Sequence, residues 1–174
     1  MKRDTSFVVD KITNSIEEVK TGKTFETNVM PVNESELRKL YKKDGWLFDW
    51  KKEYRTPKHQ VYKLVLQEDI QIQGLICIEV MDNYIEMHLL ESAPHNHGAE
   101  KEFAGVAGNL VAYACKLSFE AGFEGCIAFT AKTKLVDHYE EVLGAELIYG
   151  NERMGIFTAS ARKLVTSYYK NYLL

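Results

Sequence analysis

The stretch that most constrains this chain is residues 84–122, which reads as one unit: YIEMHLLESAP, then HNHGAEKEF, then AGVAGNLVAYACKLSFEAG. The first part alternates like a strand and the second is a polar loop. The third opens on small residues, Ala104-Gly105-Val106-Ala107-Gly108, and then places Val106, Leu110, Ala114, Leu117 and Ala121 at steps of three to four, one apolar stripe of a helix. A strand, a glycine-bearing turn and a helix start together form a place for an anion. The first N–H groups of a helix have no partner inside it, the dipole is positive there, and small side chains let a ligand approach the backbone. Two better-known phosphate loops do not fit. About ten residues separate strand from glycines, so this is not the tight Gly-x-Gly-x-x-Gly turn of a dinucleotide fold, and no Gly-Lys-Ser/Thr follows as in a P-loop.

Around this unit the chain predicts a mixed α/β (α+β) fold. Thr5–Asp10 reads as a short strand and 23–32 as a better one. Asn33 with Glu36 three residues on is a capping box, so a helix should start there, and a second short helical piece should run from Phe48-Asp49-Trp50 to near Pro57. Trp46 and Trp50 either line a pocket or cap the core, and the core is the expected place. Residues 61–69, 70–82 and 84–92 are three strands with short links, hence an antiparallel meander. A helix (about 101–121), a strand (126–130), a helix (about 132–143), strands 145–150 and 153–159, and a C-terminal helix follow. A meander running into β–α–β implies a mostly antiparallel sheet with one parallel crossover.

Composition narrows the function. With 174 residues, 45% hydrophobic residues and three prolines, the chain is expected to be a single domain over 1–174 with a real core. A net charge of −3 gives no electrostatic reason to expect nucleic acid or an anionic membrane as partner. Cys77, Cys115 and Cys126 sit singly in apolar runs and suggest neither a disulfide frame nor a zinc knuckle. MKRDTSFVVDK has no long apolar region and no run is long enough to span a bilayer, so a soluble, cytoplasmic protein is expected. His95-x-His97 with His88 lacks a cysteine or a nearby acidic ligand cluster, and no metal is expected.

The order of elements, with GVAGNL opening a helix and HYEEVLGAEL after a strand, resembles the GNAT N-acetyltransferase superfamily over roughly residues 60–160. Its phosphate loop reads Gln/Arg-x-x-Gly-x-Gly/Ala, and Glu102-Phe103-Ala104-Gly105-Val106-Ala107 matches it except that Glu102 stands where Gln or Arg is usual. Tyr139-Glu140-Glu141-Val142-Leu143-Gly144-Ala145 resembles Tyr-Glu-x-x-Gly-Phe with one extra residue and Ala145 in place of Phe. The resemblance implies acetyl-CoA as cosubstrate, its pyrophosphate on the backbone of Val106–Leu110 beside Phe103, Ala104 and Gly105. Gly108 and Asn109 belong to that helical turn. It also implies a pantetheine arm lying along Leu90, Glu91 and Ser92.

The implied reaction is transfer of acetyl to a primary amine in a ternary complex, by a monomer or homodimer. Glu86, six residues before Ser92, is where similar histone-acetylating members keep a glutamate base. Strand alternation puts Glu86, His88 and Leu90 on one face, so His88 is a weaker substitute, and a solvated glutamate is the plain alternative. Tyr139 stands where the family often places a tyrosine near the cofactor sulfur, as acid or orienting group; its plain alternative is packing. The competing class is a GNAT-fold acyl-CoA-binding or regulatory protein with little or no catalysis.

Overall fold

The computed structural model describes residues 6–12 and 15–172. Thr5, and the end of the C-terminal helical reading at Leu173 and Leu174, lie outside them. Ten strands and five helices are present among the described residues: β1 Ile16–Glu18, β2 Thr24–Phe25, β3 Thr27–Pro31, α1 Glu34–Leu37, α2 Trp50–Arg55, β4 Gln60–Leu66, β5 Gly74–Val80, β6 Ile85–Ser92, β7 Phe103–Ala104, α3 Val106–Glu120, β8 Ile127–Thr130, α4 Val136–Leu143, β9 Glu146–Tyr149, β10 Arg153–Ile156 and α5 Thr158–Tyr168. Seven strands form one sheet in the order β3-β4-β5-β6-β8-β10-β9, and β2-β1-β7 form a small second one. Within the large sheet only β6 and β8 run parallel, joined through α3, as the β–α–β pattern requires.

The local signals act as their chemistry dictates. Asn33 closes a full capping box with Glu36 at the start of α1, and Asp49 caps α2 by accepting the Lys52 N–H at 3.1 Å. Gly144 ends α4 at φ +68°, the left-handed conformation that favours glycine. The sheet is covered on both sides. Against one face α3, α4 and α5 pack Leu110, Tyr139 and Val165 onto Ile76, Ile78 and Phe129. Against the other, Leu37, Trp46 and Trp50 pack onto Leu75, Cys77 and Leu89, so both tryptophans are core residues. Gly74 lets α3 approach closely: a Cβ there would stand 2.7 Å from Val106 Cγ1.

Three features depart from the expectations. The stretch 23–32 is not one strand: β2 pairs in the small sheet and β3 in the large one. Residues 6–12 form no strand; they lie against the molecule in irregular conformation. And β6 carries a bulge. Cys77 pairs with Leu89 but Ile78 with Met87, so His88 is the extra residue. The bulge reverses the alternation beyond it. Ile85, Met87 and Leu90 join the α3-side core, whereas Leu89 joins the α1/α2-side core. Glu86 and His88 therefore share their face with Leu89 and Glu91. Leu90 is on the opposite face, which corrects the strict period-2 reading.

Candidate functional site: a splayed strand between a groove and a polar cleft

β6 pairs with β8 through Ile85–Ile127 and Glu86–Ala128, and no further among the described residues. Beyond Glu86 the two strands part, and the space they leave leads to the start of α3. Gly105 is the residue before that helix, at φ +91°. Its N–H donates to Asp10 Oδ1 at 3.0 Å, and Asp10 Oδ2 also accepts from Lys101 at 2.9 Å. The turn thus accepts an anion, as its construction implies, and in this structure the anion is the chain's own carboxylate. A helix start, small residues and a seated negative group are together what a phosphate-bearing cofactor needs here.

The sequence-predicted cofactor residues fall into two groups. Val106, Ala107, Gly108 and Leu110 form the first turns of α3 over the sheet, and Ala104 lies buried just ahead of them. Gly108 is closed over, since a Cβ there would stand 2.3 Å from the Tyr168 hydroxyl and 3.1 Å from Ile12 Cδ1. Other side chains have structural tasks. Phe103 is buried edge-on to Phe25, and Asn109 donates to Thr27 Oγ1 at 2.9 Å. Glu91, 3% exposed, accepts from the Leu47 N–H (2.7 Å), the Phe48 N–H (3.4 Å) and Trp50 Nε1 (2.7 Å), clamping the 47–50 segment to β6. Glu91, with Leu90 and Ser92, also lines the groove beside β6. A hollow of about 450 Å³ lies there, between Leu90, Ser92 and the 6–10 segment.

Tyr139 is fully buried. Its hydroxyl donates to the Phe7 carbonyl at 2.6 Å and its ring lies 4.8 Å from that of Phe7. Its neighbour His138 accepts the Val9 N–H at 3.0 Å.

On the other face of β6 opens a cleft of about 590 Å³. Glu86 lies in it, held by Arg153, with Nη2–Oε1 at 2.6 Å and Nη1–Oε2 at 3.0 Å. Burial lowers the affinity of Arg153 for its proton, but the hydrogen bond and charge of Glu86 outweigh it and hold the guanidinium above its usual range. Beside the pair, the rings of His59 and His88 stack with centroids 4.1 Å apart. His88 Nε2 meets Glu79 Oε1 at 3.0 Å, and His59 Nδ1 meets the buried Glu53 Oε2 at 3.0 Å. Cys77 Sγ is 3.4 Å from His59 Nδ1. Two overlapping sets, Glu53/His59/Cys77 and His59/Glu79/His88, bring their donor atoms within 4.8 Å, close enough to share a proton or a divalent ion.

Sequence reasoning reached Glu86 and His88 but missed His59, Glu79, Glu53 and Arg153, which come from β5, β10, α2 and the turn after α2. The period-2 spacing of Glu86 and His88, opposite Glu79 on the neighbouring strand, was the one usable signal. His95 and His97 do not join this group. His95 contacts Gln73 Oε1 and His97 the Ser92 carbonyl, both at 2.8 Å, fixing the loop ahead of α3.

No protein-family model matches this sequence, and no curated protein matches it. Solved structures do. The spermidine/spermine N-acetyltransferase SpeG from Vibrio cholerae, in mutant form, is 14% identical with a TM-score of 0.55, covering 79% of this chain and 97% of that one. The ribosomal-protein-S18-alanine N-acetyltransferase from Escherichia coli is 10% identical with a TM-score of 0.54, covering 75% and 92%. An acetyltransferase from Bacillus subtilis, solved in complex with CoA, is 13% identical with a TM-score of 0.50, covering 77% and 99%. The chain has the GNAT N-acetyltransferase fold. Among the described residues no helix is long and apolar enough to cross a membrane.

Proposed function

We propose that a chain with this fold and this pair of sites is an acetyl-CoA-dependent N-acetyltransferase, moving an acetyl group to a primary amine held in the polar cleft. The observation that carries the reading is that one splayed strand, β6, borders an anion-accepting groove on one side and a carboxylate–imidazole cleft on the other. Acetyl-CoA, when bound, supplies an activated acetyl group on a thiol that can depart. The residues that would hold it are Gly105–Leu110 at the start of α3, with Phe103 and Ala104 beneath, and the backbone of Leu90–Ser92. A thin acyl carrier laid along that open edge is β-augmentation in miniature.

The cleft's own residues handle the amine. An alkylamine arrives as an ammonium ion, for which Glu86, Glu79 and Glu53 provide negative charge. It must lose a proton before it attacks, and a placed base contributes about 10²–10⁴-fold. Glu86 is the base in this reading, acting with both oxygens already on Arg153. His88, carried on Glu79, is the neighbouring acceptor that receives the proton if Glu86 serves only to orient. Tyr139 is the donor to the departing thiolate, a role it can take only after its hydroxyl leaves the Phe7 carbonyl.

The second reading, a GNAT-fold binding or regulatory protein without turnover, is favoured by one observation: residues of the 6–12 segment occupy the helix start and Tyr139, with Asp10 on the Gly105 N–H and the Phe7 carbonyl on the Tyr139 hydroxyl. Thiol release from acetyl-CoA across polyamines, aminoglycosides, amino acids and peptide N-termini separates the two. The transferase reading expects at least one acceptor to turn over, with saturating acetyl-CoA raising the melting temperature. Ligand at a hundred times its dissociation constant adds about 2.7 kcal/mol, roughly 5–10 °C for a domain of this size. Binding without turnover on any amine would establish the second reading, and no binding at all would remove both.

A further inference from the structure

We propose that residues 6–12 are a built-in occupant of the cofactor groove, with Asp10 in the phosphate seat, and that acetyl-CoA binds only to molecules from which this segment has withdrawn. The inference rests on reading the groove as a cofactor site, and it concerns what the chain places there.

The segment follows the groove from end to end. Phe7 and Val9 point inward and are buried, whereas Val8 between them is exposed, the period-2 pattern of an extended peptide lying on a surface. The Phe7 ring sits in the gap between β6 and β8, with centroids 6.3 Å from Phe129 of β8 and 4.8 Å from Tyr139 of α4. The Tyr139 hydroxyl is taken up by the Phe7 carbonyl and the His138 imidazole by the Val9 N–H. Asp10 then places one oxygen on the Gly105 N–H and the other on Lys101, the contacts a phosphate would make at a helix start with a nearby lysine. Ile12 closes the path over Gly108.

An acyl carrier that reaches the helix start and Tyr139 meets this segment at both places, while a hollow of about 450 Å³ stays open between the segment and β6 along Leu90 and Ser92. Two residues of the segment meet elements assigned above to cofactor or chemistry: Asp10, through its carboxylate, the helix start, and Phe7 the Tyr139 side chain. The attachment joins the segment to side chains and one helix start: the Phe7 carbonyl and Val9 N–H bond to Tyr139 and His138, and the Asp10 carboxylate to Gly105 and Lys101. Among the described residues, the backbone hydrogen bonds that join separate parts of the chain include none from 6–12 to the free edge of β6. Such a segment can leave without dismantling the sheet. When only an open fraction of molecules can bind, the apparent dissociation constant is the intrinsic one divided by that fraction. A segment closed in about nine molecules of ten therefore weakens binding about tenfold.

The test uses the full chain and two variants, Asp10→Ala, which removes the seated anion, and Phe7→Ser, which removes the inner anchor. Affinity for CoA is measured by calorimetry, and hydrogen exchange across residues 6–12 is followed with and without CoA. The expected result is tighter CoA binding in both variants, by up to about tenfold for a segment closed in nine molecules of ten, together with faster exchange of 6–12 when CoA is added to the unaltered chain. Equal or weaker affinity in both variants would overturn the proposal, as would a segment that stays protected while CoA is bound. Failure of CoA to bind a variant whose segment exchanges freely would overturn it too, because the groove would then hold no cofactor. If CoA binds the variants more tightly and still no amine is acetylated, the transferase reading fails and this proposal stands.

Discussion

Replacing Glu91 by glutamine separates two roles for one residue. The sequence resemblance places Glu91 on the cofactor; the structure turns its carboxylate the other way, onto three donors of the 47–50 segment. In Glu91→Gln one oxygen remains and one becomes an amide that cannot accept. The Trp50 indole N–H is the costly donor to abandon, because Trp50 is 2% exposed and no solvent reaches it easily. A buried donor left without an acceptor costs about 1–3 kcal/mol. The Leu47 N–H belongs to a residue 66% exposed and can turn to water, so it adds little. Removing a buried charge returns part of the cost. The net expectation is a loss below that gross cost, about 1–2 kcal/mol, a fall in melting temperature of roughly 2–8 °C. Urea titration read by tryptophan fluorescence reports stability at the altered site, and calorimetry with CoA reports binding on the same sample. Stability within about 0.5 kcal/mol of the parent, combined with CoA affinity lowered tenfold, would refute the clamp and return the side chain to the cofactor.

Glu86→Gln should lower kcat/KM at least about 10²-fold near neutral pH, with the deficit shrinking at high pH where the amine loses its proton unaided; near-parental rates would transfer the base role to His88. Tyr139→Phe leaves the buried Phe7 carbonyl without its donor, so stability should fall by about 1–2 kcal/mol in urea titrations. In the transferase reading kcat and kcat/KM should fall together, and a full single-turnover rate would make Tyr139 a packing residue. His95 has its pKa lowered by burial, with Glu102 opposing and His97 assisting. Its folded value thus lies below the unfolded one of about 6.5, the unfolded chain binds more protons between them, and its contribution is present above pH 6.5 and lost as pH falls through the folded value. Replacing His95 by glutamine should flatten that part of the stability–pH curve, and an unchanged curve between pH 5 and 7 would exclude the effect.

The fold was legible where local chemistry agrees with tertiary need. The Asn33–Glu36 box, the Asp49 cap and the Val106–Leu110–Ala114 stripe each state their element in a few residues, and the meander follows from turn spacing. The small strands β1 and β7 were not legible, because two or three residues carry no period and exist through pairing alone, Glu17 with Ala104 and Glu18 with Phe103. The strand expected over 5–10 shows the converse. Its alternation is real, Phe7 and Val9 being buried, but the surface it lies on is a groove and not a strand edge. Apolar alternation specifies a two-faced extended peptide; it does not specify a hydrogen-bonding partner.

For the site, one inserted residue decided what the sequence could reveal. Strict alternation along β6 keeps Glu86, His88 and Leu90 together, a reasonable inference for any strand without a bulge. Because His88 is the extra residue opposite the Cys77–Ile78 step, Glu86 and His88 stay on the cleft face while Leu90 turns to the groove. The same bulge puts the Glu91 carboxylate on the cleft face, in its clamp on Trp50, so β6 carries Glu86, His88 and Glu91 on one face and Met87 and Leu90 in the core on the other. Nothing in the composition of YIEMHLLES marks that step. Of the remaining cleft residues, Glu79 faces Glu86 across the β5–β6 hairpin, whereas His59 and Arg153 arrive from the turn after α2 and from β10, at sequence separations where only the assembled sheet brings them together. The anion seat was legible because a helix start with small residues is a local construction; its occupant was not, because Asp10 lies 95 residues away from Gly105.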